Sequence, residues 1–149
     1  MATSTTFNKA QHALWNNQMA GFIKKIEETI TPADCVDSGT TGTYTFDADL
    51  PADCIVIGWK AVTTAAWDDD TSATIQVGIA GTLDLYSAAT TASIATTGTV
   101  GQLCKTVPSY FQEAAASPVV TITGTSDFTA FVTAGTPSTT VSIYYIELN

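Results

Sequence analysis

Apolar positions along this chain follow two different periods, and the change falls near Thr31. In residues 7–30, Trp15, Met19, Phe22, Ile23, Ile26 and Ile30 fall at helical spacing, on one stripe about 100° wide when wound at 3.6 residues per turn. Lys24, Lys25, Glu27 and Glu28 lie off that stripe. The pattern predicts one amphipathic α-helix at the N-terminus. Ser4, Thr5 or Thr6 would cap its start, and Thr31-Pro32 would stop it. Phe7, Ala10 and Leu14 lie on another side, so the first two turns are apolar on more than one face. Three readings stay open for those turns: packing on the protein's own sheets, contact with another subunit, or a membrane-surface helix. The last expects more cations on the polar face than this segment has.

Beyond Thr31 the period becomes 2. Tyr44 and Phe46 alternate with Thr43, Thr45 and Asp47. Ile55, Ile57, Trp59 and Ala61 then share one face of a strand over 54–62, whose other face (Val56, Gly58, Lys60, Val62) is also partly apolar, as in a central strand. Further alternating sets are Ile75/Val77/Ile79, Leu83/Leu85, 119–122, 128–132 and 141–148; the last sets Val141, Ile143 and Tyr145 against Tyr144, Ile146 and Leu148. Turn signals separate them, among them Ser38-Gly39, Asp68–Asp70, Ala80-Gly81 and Gly135-Thr136-Pro137. Residues 87–101 read as a Thr/Ala-rich loop with at most one weak strand, and 109–117 as a short helical turn. The expected fold is mainly β: an antiparallel β-sandwich or jelly-roll-like domain over 33–149, preceded by an N-terminal helical segment over 1–32.

Composition narrows the partners. Only 13% of the 149 residues are charged, about half the usual share, while 45% are apolar, so the surface is expected to be polar but uncharged and rich in Thr. The net charge is −9, there is no Arg, and the cations are Lys9, Lys24, Lys25, Lys60 and Lys105. A phosphate backbone needs a cationic footprint, so nucleic acid is not an expected partner. Nor is a membrane, since no apolar run approaches the roughly 20 residues needed to cross a bilayer. The N-terminus lacks the features of a secretion signal, so synthesis as a soluble cytosolic product is expected. Cys35, Cys54 and Cys104 are odd in number and far apart, and read as buried thiols; a Cys35–Cys54 bridge stays open.

Catalytic patterns are sparse. The single histidine, His12, sits within the expected helix and no nucleophile elbow accompanies it. Asp68, Asp69, Asp70, Glu113 and Asp127 offer carboxylates in no informative pattern, and read as solvated loop residues. Asp68–Asp70 with Thr71 could supply oxygen ligands to calcium, though without the spacing of a known calcium loop. No enzyme activity, cofactor or metal is expected. Trp67, with Tyr86 and Tyr110, is the candidate for an exposed ligand-facing aromatic, set against core or interface packing.

With the strands placed, CIVIGWKAVTTAAW (54–67), the acid turn DDDTSA (68–73), TIQVGIAGTLDLY (74–86), PVVTITGT (118–125) and STTVSIYYIEL (138–148) form a pattern. It resembles the small β-sandwich proteins of tailed-bacteriophage virions, of the capsid decoration (cement) or head-fibre type, over roughly 52–149. The resemblance implies a structural virion protein on the capsid surface, commonly a trimer, docking on the major capsid protein or another virion protein. In that reading Phe7, Leu14, Trp15, Met19, Phe22 and Ile26 supply the inter-subunit interface. The alternatives are a carbohydrate- or receptor-binding module of a tail fibre, which would use Trp67, and a head-to-tail or tail structural component.

Overall fold

The computed structural model describes residues 23–87, 92–104 and 111–148. Among the described residues ten strands build two antiparallel sheets: β1 (Ile23–Ile30), β2 (Val36–Ser38), β3 (Thr41–Thr45), β4 (Cys54–Ala65), β5 (Ala73–Ile79), β6 (Ala92–Ser93), β7 (Gly98–Leu103), β8 (Phe111–Gln112), β9 (Pro118–Gly124) and β10 (Ser138–Glu147). The first sheet runs β1-β10-β4-β7, with β8 also paired to β4; the second runs β2-β3-β9-β5-β6. Ile30, Val56, Trp59, Ala61, Val141 and Ile143 of the first sheet share one hydrophobic core with Ile75, Val77, Val120 and Ile122 of the second. The mainly β, antiparallel expectation holds.

The helix expected to run to Ile30 does not. Residues 23–30 form edge strand β1, paired with β10 from Ile23↔Ile146 to Ile30↔Thr139. A spacing of four puts Ile26 and Ile30 on one side of a helix, but also on one face of a strand, and the sequence cannot separate the two. The tertiary structure decides through the free edge of β10 and through Glu28. The Glu28 carboxylate accepts hydrogen bonds from the Tyr44 hydroxyl at 2.6 Å and from the amides of Asp47 and Ala48 at 3.0 and 3.1 Å. That bond raises the Tyr44 pKa above the ordinary phenol value and ties β1 to the second sheet. Residues 23–30 therefore belong to the two-sheet unit; the part of the expected helix over 7–22 lies outside the described residues.

Four other local expectations are corrected. The expected strand over 128–132 is instead a helix, α1 (Thr129–Ala134). Its aromatics explain why: Phe128 and Phe131 stand three residues apart, on opposite faces of a strand but together on a helical turn. Both are buried against Trp67, with ring centroids 6.2 and 5.5 Å away. Asp127 accepts from the amide and hydroxyl of Thr129 at the start, and Gly135, at φ 68°, ends the helix in the left-handed conformation. Leu83/Leu85 belong to a turn: the chain doubles back through Ile79↔Thr82, and Tyr86 and Ser87 return to hydrogen-bond Val77. The expected loop 87–101 holds two strands, β6 and the start of β7, paired with β5 and β4. Within 109–117, β8 and an isolated Leu50↔Ala116 bridge replace the helical turn.

A bulge resets β4. Tyr145 pairs with Val56 and Tyr144 with Gly58, which leaves Ile57 without a partner on β10. The strict alternation read from sequence therefore breaks there. Cys54, Val56, Trp59 and Ala61 are buried, while Ile55 and Ile57 are only half-buried.

Candidate interaction surface

The outer face of the first sheet divides into two chemistries. In register at one end lie Thr29, Thr140, Val62 and Thr99, then Glu27, Ser142, Lys60 and Gly101. This end is mostly polar: Lys25 pairs with Glu27 at 2.7 Å, and the Ser142 hydroxyl donates to the same Glu27 carboxylate. The Lys25 ammonium, first of these, holds the Glu27 carboxyl below the ordinary carboxylate range. At the other end Ile23, Ile146, Ile55 and Phe111 follow one another across four strands, with Tyr144, Ile57 and Leu103 beside them. Leu103 is 77% exposed, and Ile23, Phe111 and Leu148 about half exposed at 51%, 49% and 51%. Contiguous exposed apolar surface of this kind marks interaction sites.

Within it lies an open groove of about 410 Å³, lined by Ile23, Ile57, Gly58, Trp59, Gly101, Gln102, Leu103 and Tyr144. Two glycines form its low point. A Cβ on Gly58 would lie 2.4 Å from the Gln102 carbonyl oxygen, so only glycine lets β4 and β7 approach this closely. The polar groups there are few, and the Nε1 of buried Trp59 has no hydrogen-bond partner among the described residues.

Phe7, His12, Leu14, Trp15, Met19, Phe22 and Tyr110 lie outside the described residues. Ile26 does not face outward: it sits on the inner face of β1 and packs, half-buried, against the core. Trp67 is fully buried and its Nε1 donates to Thr139 Oγ1 at 2.8 Å, so it belongs to the core and not to a ligand-facing surface. Tyr86 is likewise buried, its hydroxyl donating to Gln112. Cys35, Cys54 and Cys104 are all free thiols, so no Cys35–Cys54 bridge forms. Burial pushes the Cys35 thiol up to about 12, helped by Asp34, and Cys104 up to about 11; it raises Cys54 too.

The acid turn has a structural task. Asp70 accepts from its neighbour Thr71 and from the amides of Thr125 and Ser126, at 2.6 and 2.8 Å, across the gap between the β4–β5 connection and the end of β9. The Ser126 amide foremost, with those of Thr71 and Thr125, holds the Asp70 carboxyl below the ordinary carboxylate range. A depressed native pKa gives stability that is present above the unfolded carboxylate value and is lost as the pH falls through the native one. Asp70→Asn should therefore lower the midpoint of thermal unfolding at neutral pH, with the difference from the parent shrinking below about pH 4. A pH series of thermal melts measures this, and a difference constant down to pH 2 would refute the clamp. Among the described residues no group of three or more His, Cys, Asp or Glu is placed to hold a metal ion, and no helix is long and apolar enough to cross a membrane.

No family model matches the chain, and no curated protein matches it. Solved structures do. A chain of the cyanophage Pam1 capsid asymmetric unit superposes with a TM-score of 0.52 at 19% identity, over 84% of this chain and 83% of that one. This chain shares that fold. A chain of the acid-stable capsid of Helicobacter pylori bacteriophage KHP30 aligns at a TM-score of 0.46 and 9% identity, over 83% and 95%. One from tomato aspermy virus aligns at 0.43 and 8%, over 95% and 96%.

The apolar face left a trace in the sequence. Both faces of β4 are partly apolar, which marked it as a central strand, and β10 also carries apolar residues on both faces; both strands are central, and the second apolar face is the one the second sheet does not cover. What no pattern could place is Leu103 and Phe111, which reach this face from short strands that pair with β4.

Proposed function

We propose that this chain is a non-enzymatic structural protein of a tailed-phage particle, a capsid decoration (cement) or head-fibre protein that docks on the major capsid shell as an oligomer, with a trimer favoured. The observation that carries this reading is the contrast between the two outer faces. One end of the first sheet is apolar and up to 77% exposed at Leu103. The outer face of the second sheet instead carries Thr41 and Thr43 of β3 in register with Thr123 and Thr121 of β9 and, beyond them, Thr74 and Gln76 of β5, with Thr45 beside Val119 at its end. One face is built for burial, at about 25 cal/mol per Å² of apolar surface removed from water. The other is polar, uncharged and suited to solvent.

The strand order supports a jelly-roll sandwich. Setting aside short β2 and β8, the chain places β1, β4, β7 and β10 in one sheet and β3, β5, β6 and β9 in the other, ordered β1-β10-β4-β7 and β3-β9-β5-β6. This is the pattern of two interleaved Greek keys, an architecture used by viral capsid and lectin domains. Fold alone does not fix function; the capsid origin of the Pam1 chain is in keeping with the reading, and the apolar face supplies the means.

Phe111→Lys combined with Leu148→Lys tests it, because both side chains are about half exposed and neither lines the groove. The parent should sediment as an oligomer and the double variant as a monomer with an unchanged circular dichroism spectrum and melting temperature. A parent that is monomeric at high concentration, or a double variant that still assembles, would sink the docking role of this face.

A further inference from the structure

We infer that the groove between β1, β10, β4 and β7 is the seat of the chain's own N-terminal segment, which lays Trp15, Met19 and Phe22 into it. Three observations carry this. First, the segment arrives at the groove without a linker, because Phe22 is bonded to Ile23 and Ile23 is itself a wall of the groove. Twenty-two residues precede that wall, enough to reach about 33 Å even at the helical rise of 1.5 Å per residue. Second, the chemistry matches. Residues 7–22 contain no acid and one lysine, Lys9, and their large apolar side chains repeat at helical spacing; the groove is walled by isoleucine, leucine and tyrosine and floored by glycine. Third, attachment favours the chain's own segment over that of another copy, since a tethered group acts at an effective concentration in about the millimolar range.

This inference stands independently of where the protein sits on a particle. It also gives the second apolar side of the segment a use. With Trp15, Met19 and Phe22 committed to the groove, Phe7 and Leu14 of the other apolar side remain for a contact beyond it.

The test uses the full-length chain with a photoreactive benzoylphenylalanine in place of Leu103, whose exposure lets it accept a larger ring, and the same group at Val36, exposed on β2 of the second sheet, as an off-groove reference. Isotopically light and heavy chains are mixed, irradiated and mapped by mass spectrometry. The expected result is adducts from position 103 to residues 15–22 within single light or single heavy chains, at a yield constant over a hundredfold dilution. Trp15→Asp should reduce those adducts at least tenfold while the circular dichroism spectrum is unchanged. Adducts joining light to heavy chains, adducts mapping elsewhere, or none above the reference would each overturn the assignment. The oligomeric state of the Phe111/Leu148 variant is read separately, so failure of one leaves the other standing.

Discussion

Replacing Trp67 with alanine is expected to destabilise the protein by about 3–5 kcal/mol, the cost of removing a large buried aromatic and leaving a cavity that its neighbours only partly fill. Against a typical total of about 5–15 kcal/mol this is a large share. The neighbours are identifiable. Phe131 packs edge-on at a ring separation of 5.5 Å and Phe128 lies tilted at 6.2 Å, while Phe128 and Phe131 themselves meet at 5.6 Å. The indole also closes a small polar chain, with Nε1 donating to Thr139 Oγ1 and Thr139 joined to Thr63 at 3.0 Å. Trp67→Phe keeps a ring but loses that bond, and should cost less, about 1 kcal/mol for the hydrogen bond and a further fraction for lost volume. Denaturant unfolding of the three proteins measures the series. If alanine at this position cost less than 1 kcal/mol, Trp67 would not be a keystone of the core.

Ile30→Ala should cost about 2–5 kcal/mol by the same reasoning, because Ile30 is fully buried at the end of β1. The informative comparison is with Thr29→Ala. Thr29 faces outward and exchanges a 2.8 Å hydrogen bond with Thr140 on β10, so its loss should cost under about 1 kcal/mol. Had residues 23–30 been a surface helix outside the sheets, neither substitution would disturb the core. Equal small effects at both positions, measured by urea unfolding, would therefore argue against β1 as an integral strand.

These residues also show where sequence and tertiary structure divide the work. Alternation over 43–47, 54–62, 75–79, 119–122 and 141–148 was enough to place β3, β4, β5, β9 and β10, since a strand with one buried face must repeat every second residue. The scarcity of charge and the abundance of threonine were enough to anticipate a polar, uncharged outer face, and it is the one found on the second sheet. Residues 23–30 were not decidable. Ile26 and Ile30 suit a helical stripe and a strand face equally, and the balance was tipped by the open edge of β10 and by the partners of Glu28, none of which is near in sequence.

The candidate site divides in the same way. The sequence marked apolar residues on both sides of β4 and β10, because that property is local to each strand. It could not tell which of those sides the second sheet covers, nor that a bulge at Ile57 exchanges the faces partway along β4. Trp67 carries the same lesson: its position beside an acid turn left a ligand-facing role and core or interface packing both open, while α1, more than sixty residues later, buries it. Composition and period by themselves determined an antiparallel β protein with no cationic footprint for nucleic acid. Only the tertiary structure decided which apolar face the second sheet leaves uncovered, because coverage depends on residues brought together from distant parts of the chain.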